Sequence, residues 1–496
     1  MSEERTHYRV TFTVIVIAVT AYSMLQSLVL PVLPTIQTSL HTSQSAVTWV
    51  LTAYLLSASV ATPIVGRLGD MMGKKKVLVA VLTVLAAGTL LSAVATSIGV
   101  MIVARVIQGA GGAVLPLAFG IIRDEFPAER VASAVSTTAA LLAVGGGLGI
   151  VLAGPIVNAL DYHFLFWIPL VFIVLATIAA HFVVPESLET SPGRISAVPA
   201  VLMTVWLVAL LVAVSEGSSW GWTSGRTLGL LVLAVVGIVA WVLSELRAHQ
   251  PLVDMKMMRI PAVWTTNLVA LLFGIGMYSV MAFLPEFLQT DPSNGYGFGA
   301  SITRSGIYLL PMTATMFFFG LWSGRVTAQL GSKVVLLIGS AVTVVPLGIL
   351  TFAHHQQWEI YVVSALLGIG LGFAFAAMSN IIVESVPSSQ TGVASGMNAN
   401  IRTIGGAIGA AVVGSIVTSG AAAGGIPHES GYTHGFGFLF LGSALATVAA
   451  LFIPTAHKRG RDADDDVRRA FDEDGIRIIR NPEAALVAGA PLVEVE

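Results

Sequence analysis

The sequence predicts an all-α integral membrane protein with fourteen transmembrane helices, arranged as two six-helix halves plus an inserted helix pair. Three observations lead there. Apolar residues make up 55% of the 496 and charged residues only 10%, against about 25% charged in soluble globular chains. Fourteen apolar runs of about the length that crosses a bilayer follow one another. The landmarks of the first half recur about 260 residues later. The composition alone excludes an ordinary soluble enzyme. Of the 52 charged residues, 17 fall after Ala456, so the rest of the chain is poorer still in charge.

The spans begin near Val10, Ala46, Val77, Val100, Val131, Phe164, Ala197 and Thr227, then near Pro261, Arg304, Val334, Trp358, Gly392 and Phe436. The first run, Val10 to Leu33, has no small-residue cleavage site behind it and reads as a retained helix. An even number of spans puts both termini on one side. Loops retained in the cytoplasm carry an excess of lysine and arginine. With the amino terminus inside, the inner loops and tails, Arg194 included, hold 21 such residues and the outer loops only Arg226 and Arg304. A multi-pass protein of the cell membrane with both termini cytoplasmic is the expectation.

Internal repeats bear on architecture before anything else. Gly66-Arg67-Leu68-Gly69-Asp70 through Gly73-Lys74-Lys75-Lys76 aligns with Gly324-Arg325 through Gly331-Ser332-Lys333 at an offset of 258. Ile121-Ile122, Pro127, Gly145-Gly146, Gly149 and Gly154 match Ile381-Ile382, Pro387, Gly405-Gly406, Gly409 and Gly414 at 260. The basic loop lies between the second and third spans of each copy, so the unit is six helices. The expected organisation is a cytoplasmic amino terminus over 1–9, a bundle over 10–190, an inserted pair over 191–260, a second bundle over 261–456 and a disordered cytoplasmic tail over 457–496. Paired repeats with a site between them near the midplane are an arrangement used for alternating access.

These residues carry a family resemblance. Gly66-Arg67-Leu68-Gly69-Asp70 to Gly73-Lys74-Lys75 resembles the loop signature of the major facilitator superfamily. Arg105-Val106-Ile107-Gln108-Gly109 is similar to the fourth-helix signature of its proton-coupled members, and Gly145 to Gly154-Pro155 to its antiporter signature. With the extra helix pair, residues 8 to 456 resemble the fourteen-helix drug:proton antiporter branch. Two departures stand out: Asn158-Ala159 replace the closing glycines, and Tyr22 to Ser27 lack the first-helix acid common in that branch. The resemblance implies a multidrug efflux carrier driven by the proton gradient, without a cofactor, in which Arg105 and Gln108 assist proton transfer.

The residues themselves suggest roles. Asp70, Arg67 and Arg123 meet at the cytoplasmic mouth, where a carboxylate can pair with an arginine or a helix amino terminus and act as a gate. Lys74, Lys75 and Lys76 read as topology charges. Arg105 and Arg402 fall inside spans, where arginine is costly and is expected to face a cavity or a partner. Glu286 is the deepest acid and the candidate for coupling, alongside an interfacial reading. Of the ten histidines only His181 falls within a span. Gly145, Gly149 and Gly154, with Gly405, Gly406, Gly409 and Gly414, suit close helix packing, with Pro155 closing the first set. Tyr22, Met24, Gln26, Tyr54, Met277, Tyr278, Tyr308 and Met312 are cleft candidates, each also readable as core. Methionine adapts its shape and aromatic faces attract cations, which suits small lipophilic or cationic molecules.

No metal site is expected: the chain has no cysteine. The glycine-rich stretches lack the lysine and hydroxyl of a phosphate loop, and a net charge of −2 argues against nucleic acid as partner. The partners expected are small molecules, protons and lipid, around a monomer. A dedicated exporter of one metabolite or lipid is the alternative within transport. A membrane sensor or scaffold without flux is the alternative outside it.

Overall fold

A computed structural model describes residues 8–187, 196–248, 250–419 and 427–454. Fourteen helices among them are long and apolar enough to cross a membrane. We label these α1 (Tyr8–Val29), α2 (Gln44–Met72), α3 (Lys74–Ala93), α4 (Ile98–Glu125), α5 (Ala128–Ala159), α6 (Phe164–Val183) and α7 (Ala197–Trp220). The others are α8 (Gly225–Arg247), α9 (Pro261–Gln289), α10 (Ile302–Leu330), α11 (Ser332–Phe352), α12 (Gln357–Ser385), α13 (Thr391–Val417) and α14 (Glu429–Leu451). No strand occurs among the described residues. Lipid offers no partner for backbone N–H and C=O groups, so each segment satisfies them internally as helix. Phe182, Phe352, Phe452 and Leu441 stand outward at 67–79% exposure, as a lipid-facing surface requires.

The expected spans are all present. The last starts seven residues earlier than the sequence pattern suggested, at Glu429, because the glycines at 431, 435 and 437 dilute its hydropathy without interrupting the helix. His434 therefore lies within a span, which corrects the expectation that His181 was alone there. Arg194 and the tail from 457 fall outside the described residues.

Local chemistry sets many boundaries. Ser43, Ser97, Ser224 and Ser301 each cap a helix by accepting a backbone N–H, at the starts of α2, α4, α8 and α10. Gly73 and Gly331, equivalent in the repeat, take φ of +104° and +84° and reverse the chain between consecutive helices in a single residue. Side chains with a Cβ rarely adopt that backbone, which is why both copies of the basic loop keep glycine. α4 narrows to a 3-10 segment at Gly109–Ala113.

Three apolar cores form. One unites α1 to α6, a second α9 to α14, and a third joins α7 and α8 to α2, α9, α12 and α13. The inserted pair thus covers a seam where α2 meets α13. Trp206 and Trp241 pack within it, centroids 5.7 Å apart. Glu245 ties down the following loop, accepting from Trp241 Nε1 at 3.0 Å and from the Leu252 and Val253 amides at 2.9 and 3.3 Å. The two six-helix bundles meet along two pseudo-equivalent seams. A Cβ on Gly66 (α2) would lie 2.7 Å from the Gly392 carbonyl (α13), and one on Gly324 (α10) 2.9 Å from Ser133 Cα (α5). Glycine permits the contact in each.

Candidate functional site

At the face that carries the basic loops, side chains from the first bundle hold the second. Asp70, fully buried in the last turn of α2, accepts the backbone N–H groups of Gly392 and Val393 at 3.2 and 3.1 Å. These amides belong to the first turn of α13, whose intrahelical partners are lacking and whose dipole favours an anion. The carboxylate thus uses the helix terminus, not Arg67; Arg67 lies within electrostatic range of both Asp70 and Glu245. Arg123, near the end of α4, donates through Nη1 to the Val383 carbonyl at 2.5 Å and to Thr391 Oγ1 at 2.8 Å. Both arms end on the second bundle, so the basic face is latched shut.

Lys74 departs from its expected role as a topology charge. It is fully buried and pairs with Asp124 at 2.7 Å inside the first bundle. The repeat explains the pair: offsets of 258 and 260 carry Lys74 and Asp124 to Ser332 and Glu384, whose side chains also bond, at 3.2 Å. Lys75 is half-buried, and the exposed Lys76 lies only 3.9 Å from Glu186, a weak surface contact.

Deeper in, a polar cluster forms around α1, α2 and α4. The Tyr22 and Tyr54 hydroxyls bond to each other at 2.7 Å, and the Gln26 amide donates to both. Arg105 is 1% exposed; its Nε donates to the Val50 carbonyl at 3.0 Å and its Nη1 to Gln108 Oε1 at 2.6 Å. Its guanidinium lies 4.5 Å from the Tyr54 ring centroid. Gln108 continues to Ser92 and Thr89 at 3.1 and 3.4 Å. The 3-10 segment lets this happen, since a Cβ on Gly111 would lie 3.0 Å from the Tyr22 ring and one on Gly112 2.4 Å from Thr62 Oγ1. From the second bundle come Tyr278, within electrostatic range of Tyr22 and Tyr54, and Arg402, its guanidinium 4.8 Å from the Phe375 ring centroid. Both arginines face protein, not lipid, as an intramembrane arginine must.

Other candidates lie elsewhere. Glu286 is exposed in the last turn of α9 and takes the interfacial place rather than a deep one. Tyr308 packs in the core of the second bundle, 4.9 Å from Tyr361, because its ring is captured by neighbouring aromatics and not by the cleft. Met277 and Met312 line a small apolar cavity whose walls are entirely α9 to α12 and α14, within one bundle and away from the polar cluster. Met24 packs on the first core. The glycines of α5 and α13 are close-approach sites: a Cβ would lie 2.6 Å from Thr20 O at Gly145, 2.8 Å from Met24 O at Gly149 and 2.1 Å from Leu271 O at Gly405. Gly154 approaches Thr303 of α10, and Pro155 lies within α5.

Sequence reasoning missed the amide partners of Asp70. No side chain marks them; the available signal was Pro387 followed by Ser388-Ser389-Gln390, which announces a helix start opposite the basic loop. It also missed Asn380 of α12, which donates to Ser136 Oγ of α5 at 2.9 Å across the bundles.

Comparison with known proteins adds four findings. The family model described as Major Facilitator Superfamily matches residues 15–410 and, in a second match, 266–493. The multidrug transporter protein MdtP of Bacillus subtilis is 28% identical over 379 residues, 76% of this chain and 69% of the relative. The multidrug resistance protein Stp of Mycobacterium tuberculosis is 28% identical over 476 residues, 93% and 86% of the two chains. Among solved structures, the proton:xylose symporter XylE superposes with a TM-score of 0.64 at 13% identity, covering 90% of this chain and 96% of its own, a likeness of fold.

Proposed function

Because the chain belongs to the major facilitator superfamily, whose members are carriers, we propose that it is a proton-coupled secondary active exporter that exchanges lipophilic drugs or antibiotics for protons by alternating access. The basic face is then the cytoplasmic face of the cell membrane. The moving bodies are the bundles over 10–190 and 261–456, with the pair over 191–260 riding on the seam, in a monomer that needs no cofactor. The observation that carries the reading is the latch. Asp70 and Arg123 bridge the two bundles through hydrogen bonds that can be made and broken without disturbing either apolar core. Such a bistable contact is what a rocking carrier requires.

Glu286 lies at the periphery, whereas Asp70 is the carboxylate buried where the bundles meet. Protonation of Asp70 removes the charge that α13 amides stabilise, so a proton opens the inward face, and its release to the cytoplasm lets the latch reform over loaded substrate. Arg105 bonds to Gln108, Tyr54 bonds to Tyr22 and both tyrosines to Gln26, and the Arg105 guanidinium beside the Tyr54 ring brings the two sets together; these residues assist the proton's passage.

The test is uptake of a chemically varied panel into inside-out vesicles, with the proton gradient imposed and then collapsed, for the intact protein and Asp70→Asn. Gradient-dependent uptake of several lipophilic compounds, lost in the variant, supports the reading. Uptake restricted to one compound turns it into a dedicated metabolite or lipid exporter, and binding without flux into a sensor or scaffold.

A further inference from the structure

The centre between the bundles is cationic and holds no counter-charge. Among the described residues every carboxylate sits in a loop or within the last or first two turns of a helix, and the most buried of them, Asp70, is engaged with α13 amides at the basic face. Two guanidinium groups lie deeper. Arg105 is satisfied by a carbonyl, an amide and a tyrosine ring. Arg402, the twelfth residue of α13, rests on the face of Phe375. It makes no hydrogen bond or ion pair with the described residues, although guanidinium offers five donors. It lies within electrostatic range of Tyr278 and Tyr22, so the guanidinium sits where the two bundles face each other and not against lipid.

The seam between α2 and α13 contains unpaired polar groups of its own. Asn400 is 2% exposed and both polar atoms of its amide lack a partner. It follows Gly396 by one helical turn, and Gly396 faces Thr62 and Pro63 of α2, so Asn400 faces α2 as well. Ser59, one turn along α2 from Pro63, also has a buried hydroxyl without a partner. Buried polar groups are almost always hydrogen-bonded. These groups lie on the α2 side of α13, while Arg402, two residues on, offers its donors from another face of the same helix.

We propose, resting on the export reading above, that the substrate class is lipophilic acids: molecules with an apolar, ring-bearing body and one oxyanion, which Arg402 binds. A guanidinium stacked on a ring has its N–H donors directed sideways in its own plane, the approach that suits bidentate contact with a carboxylate or sulfonate. The Tyr278 ring flanks this position and is given room by Gly406, where a Cβ would lie 2.4 Å from it. A lipophilic cation meets two like charges and no carboxylate in the same place.

The experiment uses one scaffold in three charge states: 2-anthracenesulfonate, its sulfonamide, and (9-anthracenylmethyl)trimethylammonium. Transport is measured in proteoliposomes with the intact protein, Arg402→Gln and Arg402→Lys. The expected result is preference for the sulfonate, a KM for it raised roughly 10- to 100-fold in Arg402→Gln, as loss of a charge-assisted hydrogen bond implies, partial retention in Arg402→Lys, and loss of the preference for sulfonate over sulfonamide in Arg402→Gln. A thermal midpoint in detergent equal to that of the intact protein excludes a folding defect. Preference for the ammonium compound or the sulfonamide, or a selectivity that Arg402→Gln leaves untouched, overturns the assignment while leaving export standing. No flux of the three, with gradient-driven uptake of other compounds intact, also overturns it; no flux of any compound removes the export reading too.

Discussion

Replacing Asp70 with asparagine keeps the shape of the latch and removes its charge. The native carboxylate accepts two α13 amides at 3.2 and 3.1 Å, fully shielded from water. Hydrogen bonds to a charged group contribute about 1.5–3 kcal/mol and neutral ones about 0.5–1.5 kcal/mol; the two amides are held by different carboxylate oxygens and asparagine offers one oxygen and an N–H2 donor, so the exchange loses about 1 kcal/mol at the bond it keeps and about 1.5–3 kcal/mol at the one it cannot make. Removing an anion from a helix amino terminus adds up to about 1 kcal/mol more. The closed state should therefore weaken by about 2.5–5 kcal/mol, which moves the closed-to-open ratio roughly 60- to 4,000-fold. The absence of cysteine makes the assay direct. Met72 and Leu330, 58% and 55% exposed at the basic-face ends of α2 and α10, accept spin labels after Met72→Cys and Leu330→Cys without any background thiol. Double electron–electron resonance should show a longer distance population growing in Asp70→Asn. An unchanged distance distribution in well-folded protein would refute the assignment of Asp70 as a latch.

Three other outcomes follow from the same geometry. Lys74→Met leaves Asp124 charged beside an apolar stem, with side-chain exposures of 1% and 9% in the native pair; the loss should be about 3–5 kcal/mol, and the thermal midpoint in detergent should fall sharply, with partial recovery in the Lys74→Met/Asp124→Leu double variant. Gly405→Ala drives a methyl to 2.1 Å from the Leu271 carbonyl, whereas a Cβ at Gly229 of α8 meets nothing within 4 Å. Transport should fall in the first and persist in Gly229→Ala, with equal membrane yield of both variants as the control. Glu286→Gln alters an exposed residue at a helix end, so the gradient dependence of uptake should be unchanged; loss of coupling there would return Glu286 to the proton path.

Span count, orientation of charge and the repeat were legible because hydropathy and loop composition record the solvent that each segment meets. The one-residue turns at Gly73 and Gly331 were visible as paired glycines, though their left-handed backbone was not. The contact between the bundles at the basic face was half legible. Asp70 and Arg123 announce themselves by charge, but their partners are backbone amides, a carbonyl and one threonine hydroxyl some 260 to 320 residues away, and backbone groups leave no residue-type signature. Lys74 shows a different limit. A lysine in a basic loop looks solvated until the fold brings Asp124 to it, and only the repeat, by pairing the equivalent positions Ser332 and Glu384, hinted at a conserved geometry between the two copies. Among aromatic and methionine residues, Tyr22 and Tyr54 reached the centre while Tyr308 and Met312 went to a core. Composition alone does not separate these outcomes, because a helix face toward a cleft and one toward a neighbouring helix carry the same side chains.

Exchange of substrate for protons makes the movement of protons themselves observable. Proteoliposomes with an entrapped pH dye and no imposed gradient are given a substrate carried in the vesicle assay. Substrate flux should drive a proton flux in the opposite direction, abolished in Asp70→Asn. Substrate flux with an internal pH that stays constant would contradict the account, and a pH change in the same direction as the substrate would replace antiport with symport.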